Sequence, residues 1–128
     1  MQLVAGATTI TLPNDLQWID EYTWQAVEQS TDRGLTGALI VDVGTRIAGR
    51  PITLQGQQDM GWVLRSTLDA LRSLAQLPGQ EMTLTNAEVT VFDVVFAHPD
   101  AIDAAPVYFV SPAVAARPYV VTLKFLTI

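Results

Sequence analysis

The sequence contains no cysteine, one histidine (His98) and one lysine (Lys124). Without cysteine there is neither a disulfide nor a thiolate metal site. One histidine cannot assemble an ordinary zinc ligand set, and any Ser-His-Asp site would have to use His98, which Pro99-Asp100 marks as a strand end. Charged residues make up only 16% of the chain, and acids outnumber bases 13 to 7, giving a net charge of −6. No basic cluster is available to neutralise phosphates, which argues against specific or non-specific nucleic-acid binding and against an anionic membrane surface. No apolar run approaches the roughly 18 residues of a membrane span, and the first ten residues lack the basic region of a secretory signal. The usual nucleophiles and general bases are nearly missing, so the composition reads as a non-enzyme with no metal and no cofactor.

What the chain does have is apolar content: 49% hydrophobic residues in 128, with a mean hydropathy of +0.28. Disorder needs the opposite composition. A single domain spanning 1–128 fits the length, and the apolar excess over a free monomer's needs points to surface reserved for a partner.

Local patterns read as mainly β. Ala7–Leu12 is rich in Thr and Ile and stops at Pro13-Asn14-Asp15. Leu16–Val27 carries Trp18, Tyr22 and Trp24, its second half suiting an aromatic strand; Gln29–Gly34 reads as a polar turn. Ala38-Leu39-Ile40-Val41 fits a short buried strand. Gly44–Gly49 reads as a loop, and Arg50–Gln55 alternates with Pro51 at a strand start or edge. Between Gln57 and Leu77, Met60, Val63, Leu64, Leu68, Leu71, Leu74 and Ala75 recur at helical spacing, which predicts one helix over about 60–77, stopped by Pro78-Gly79. Glu81–Thr85 and Val89–Ala97 predict a hairpin, Asp103–Pro106 a connector, Val107–Val110 a short strand, 111–118 a loop and Tyr119–Ile128 a strong final strand. The fold class expected is α+β, mainly β: an antiparallel β-sandwich or split barrel with one packed helix.

Residue patterns that could carry chemistry are sparse. Asp20-Glu21, placed on a strand, would point to opposite faces. Asp100 and Asp103 lack the spaced oxygen ligands of a calcium loop. Gly34, Gly37, Gly44 and Gly49 match no phosphate-cradling motif. Aromatic residues and arginine are enriched at protein interfaces, which makes Trp18, Tyr22, Trp24, Arg46 and Arg50 the candidate oligomer-interface residues. An alternative use of Trp18, Tyr22 and Trp24 is a stacking platform in a small carbohydrate- or peptide-binding β-domain.

The segments Leu12-Pro13-Asn14-Asp15-Leu16-Gln17-Trp18-Ile19-Asp20-Glu21, Leu35–Val41 and Gly49-Arg50-Pro51-Ile52-Thr53-Leu54-Gln55-Gly56, then a helix with Leu68, Leu71 and Leu74, then Pro-Gly and a hairpin ending Val94-Val95-Phe96, resemble small tail proteins of tailed bacteriophages and Mu-like prophages. Their order resembles the N-terminal domain of distal tail proteins. One departure is the stretch Thr85-Asn86-Ala87-Glu88, where many such proteins have a glycine-containing hairpin turn. The resemblance implies a virion tail subunit assembled in the host cytoplasm. It implies a homo-oligomeric ring, commonly a hexamer, contacting tail-tube and tail-tip hub proteins around a channel whose acidity would repel DNA. A head-tail connector, tail terminator or capsid decoration protein would share these properties.

Overall fold

The computed structural model describes residues 1–46, 49–108 and 117–128. Eleven strands and one helix follow in the order β1 (Gln2–Ala5), β2 (Thr8–Thr11), β3 (Gln17–Trp18), β4 (Val27–Arg33), β5 (Leu39–Thr45), β6 (Pro51–Gln55), β7 (Trp62–Leu64), α1 (Arg65–Ala75), β8 (Met82–Thr85), β9 (Val91–Phe96), β10 (Ile102–Pro106) and β11 (Pro118–Thr127). The fold is mainly β with one packed helix, as the sequence predicts.

Nine strands form one antiparallel sheet in the order β2-β1-β8-β9-β11-β6-β3, with β7 and β10 also paired to β11. The ten-residue β11 is its spine. Its C-terminal half pairs with β9 on one edge and β6 on the other; its N-terminal half pairs with β10 and β7. The alternation of β11 explains this position. Tyr119, Val121, Leu123 and Phe125 are buried on one face, while Lys124 and Leu126 are exposed on the other. Phe125 stacks on Phe96 of β9 at 5.1 Å within a core that includes Leu3, Leu54, Leu84 and Val94. The sheet curls over this core, bringing Trp18 of β3 edge-to-face onto Phe92 of β9 at 5.5 Å. The two ends of the path, β2 and β3, do not pair, so the barrel stays open.

The helix is shorter than its periodicity predicts. Trp62–Leu64 pairs with Pro118–Val120 instead, and the helix begins at Arg65, whose N–H donates to the Arg117 carbonyl at 3.0 Å. A glycine contact sets this boundary. Gly61 has φ +72°, outside the helical region, and a Cβ on Gly56 would lie 2.6 Å from the Gly61 carbonyl oxygen. Leu71 and Leu74 are buried by the helix, as the stripe predicts, whereas Leu64 stays exposed on β7.

Further expectations need correction. Gly44 and Thr45, expected to open a loop, end β5, and residues 19–26, whose aromatic part suits a strand by sequence, form turns and irregular chain instead. A strand β1 precedes the first predicted one, and the two make a hairpin. Asp103–Pro106, read as a connector, lies within β10, because pairing to β11 satisfies its backbone. The largest difference lies at 27–45. Gln29–Gly34 is not a turn, and Ala38–Val41 is not a buried strand. They belong to β4 and β5, which pair only with each other, and every residue of both strands is exposed. The strand predicted at 107–110 and the loop at 111–118 fall mostly outside the described residues.

Candidate assembly surface

β4 and β5 form an arm of seven paired positions, from Val27↔Thr45 at its root to Arg33↔Leu39 near its tip. At about 3.4 Å per residue this is roughly 24 Å long. The tip closes through Gly37, whose φ of +82° favours glycine, with Gly37 N–H donating to the Gly34 carbonyl at 2.9 Å. Neither strand packs extensively on the body.

Strand alternation makes the arm two-faced. Val27, Gln29, Thr31 and Arg33 share one face with Thr45, Val43, Val41 and Leu39; Glu28, Ser30 and Asp32 share the other with Gly44, Asp42 and Ile40. The first face carries the apolar side chains Val27, Leu39, Val41 and Val43, with Gln29, Thr31, Thr45 and Arg33 between and beside them. The second carries three carboxylates. Val41 and Val43 on the apolar face are 42% and 64% exposed. An isolated two-stranded hairpin is marginal in water at best, and nothing within the described chain covers this face.

The arm joins the body at a compact root. Asp20 does not sit on a strand: its carboxylate accepts from Thr53 N–H at 2.9 Å and Thr53 Oγ1 at 3.0 Å, extending the short β3–β6 ladder by one side chain. The returning strand is held by Arg50, whose N–H donates to Thr127 Oγ1 at 2.8 Å while Nη2 donates to the Glu21 carbonyl at 2.7 Å. The same guanidinium lies 4.7 Å from the Trp18 ring centroid and 5.6 Å from that of Trp24. The Arg50 side chain therefore ties the outgoing segment, and its backbone the C-terminal strand, at one point. Among the described residues no acceptor meets the Trp18 or Trp24 indole N–H or Arg50 Nε, so π-contacts carry much of this cluster.

Of the five candidate interface residues, the structure brings Trp18, Trp24 and Arg50 together as this half-buried clamp. Arg46 stands at the arm's base, ion-paired to Glu28, with its N–H donating to the Ala26 carbonyl at 2.7 Å. Tyr22 stands apart and is 88% exposed. The residues that sequence reasoning missed are Val27, Leu39, Val41 and Val43. Their signal was present as alternation in Leu39–Val43, but an apolar run does not say whether its cover comes from the same chain.

Elsewhere, His98 is exposed and tilted against Phe96 at 6.3 Å, beside a small cavity lined by Leu77, Gly79, Gln80 and Val95. Among the described residues, no group of three or more His, Asp or Glu side chains is placed to hold a metal ion, and no helix is long and apolar enough to cross a membrane. Comparison with protein-family models, curated proteins and solved structures returns no match.

Proposed function

We propose that this protein is a structural subunit of a bacteriophage tail, a distal tail protein that assembles as a ring around the tail channel at the tail tip. The observation that carries the reading is the arm: fourteen strand residues, all exposed, with Val27, Leu39, Val41 and Val43 on one face and no cover among the described residues. An exposed apolar surface of this kind marks a contact with a partner, which an assembling subunit would use. The mainly β fold with a single helix agrees with the fold that the tail-protein resemblance implies. Open edges at β2 and β3 add backbone donors and acceptors that a neighbour's strand would satisfy.

In this reading the root clamp sets the angle at which the arm leaves the body, so Trp18, Trp24 and Arg50 position the contact, and Tyr22 and Arg46 lie beside it. The acidic arm face, with Glu28, Asp32 and Asp42, is free to look toward a channel, where it would repel DNA phosphates. The partners are further copies of the chain, with tail-tube and hub proteins above and below. A sugar-binding reading is less well supported: two of its three rings are half-buried around Arg50, leaving Tyr22 as the one open ring.

Negative-stain electron microscopy with light scattering of the concentrated protein tests the proposal. Rings with a central hole are expected. Closed dimers, or a monomer that persists with tail-tube protein added, would overturn it.

A further inference from the structure

The body carries a second apolar β-surface that no described residue covers. Val91, Val95, Leu126 and Ile128 lie on the outer face of β9 and β11, opposite the buried Val94, Phe96 and Phe125. Leu126 is registered against Val95, and Ile128 N–H donates to the Asp93 carbonyl at 3.0 Å, so these residues form adjacent rows of one sheet face. Next to them Val4, Thr83, Asp93 and Ile128 border an open hollow, with Glu81 at its rim.

We infer that the apolar face of the arm lies across this outer face of β9 and β11 in a second copy of the chain. The inference rests on the ring reading and names its contact. Three observations select this occupant. Both surfaces are β-faces of similar character, and two such faces pack by interdigitating their side chains. Their charges are complementary at one end: Arg33 is the one charged residue on the arm's apolar face, while the body face offers Asp93 with Glu81 at the Ile128 end and keeps its one cation, Lys124, on the far side of Leu126. Two arms packed face to face would instead leave Arg33 without an acid, because Glu28, Asp32 and Asp42 all lie on the opposite side. Donor and acceptor surfaces are different parts of the same chain, so each copy uses both. Such a heterologous contact propagates head to tail and closes into a ring when the rotation permits.

The lack of native cysteine makes the test direct. Val41→Cys and Leu126→Cys are made separately and together, and treated with a short bis-maleimide. Mixing the single variants is expected to give a crosslinked dimer, and the double variant a ladder ending at the ring size. Adding Arg33→Glu is expected to lower the crosslinked fraction at least roughly tenfold by setting like charges together, and Asp93→Arg on the partner to restore it. Self-crosslinking of Val41→Cys alone would overturn the inference in favour of paired arms. Oligomers seen by light scattering without the Val41–Leu126 crosslink would overturn this contact and leave the ring reading standing. A protein that is monomeric at every concentration, with or without tail-tube protein, and shows no crosslink would overturn both.

Discussion

The arm and the body obey different rules within one chain. In the body, burial decides the structure: β11 alternates cleanly, its inward Val121, Leu123 and Phe125 reach zero exposure, and four strands depend on it. In the arm, backbone pairing and a glycine turn decide it, while its apolar side chains remain in water. Apolar side chains left this exposed contribute little to folding. The comparison teaches that equal hydrophobicity can serve two ends, self-stability in one segment and association in another.

The largest effect expected from breaking this contrast is in the body. Phe125→Ala removes a fully buried ring stacked on Phe96 and should cost about 3–5 kcal/mol, measured by denaturant unfolding. An intermediate effect belongs to the junction. Arg50→Ala removes a charged donor to the Glu21 carbonyl and two ring contacts and should cost about 1–3 kcal/mol. Arg50→Lys should recover only part of that loss, since an ammonium does not reproduce the planar fork. The smallest change in folding stability, within about 0.5 kcal/mol, is expected for Val41→Ser in the arm, yet that variant should lose assembly by light scattering. An equal loss of stability for Val41→Ser and Phe125→Ala would erase the distinction between the two regions.

Much of the body was legible in the sequence, because its strands bury alternate residues. Arg50–Gln55, the hairpin after the helix and the final strand all keep a period of two, and the structure places each as a strand. The helix was legible through Leu68, Leu71 and Leu74, but its start was not. Trp62-Val63-Leu64 satisfies helical spacing as well as strand alternation, and the close backbone approach of Gly56 and Gly61, which only residues without a Cβ allow, is a tertiary fact. The arm was the least legible part. Gln29–Gly34 is polar because it has no interior to face, so it reads as a turn, and Ala38–Val41 reads as buried although no described residue covers it. The candidate residues Trp18, Trp24 and Arg50 were identifiable by type. Their meeting around one guanidinium was not, since 32 positions separate Trp18 from Arg50 and a turn-rich segment and the arm intervene.

The dependence of four strands on β11 also has a consequence in time. During synthesis, β2-β1-β8-β9 and β3-β6 can each pair as they emerge, but no ladder joins these two half-sheets, and β7 and β10 have no partner at all. The joining strand is the last of the eleven to be made. Until residues 118–127 have been made, no ladder among the described residues joins the two half-sheets, and the body cannot close.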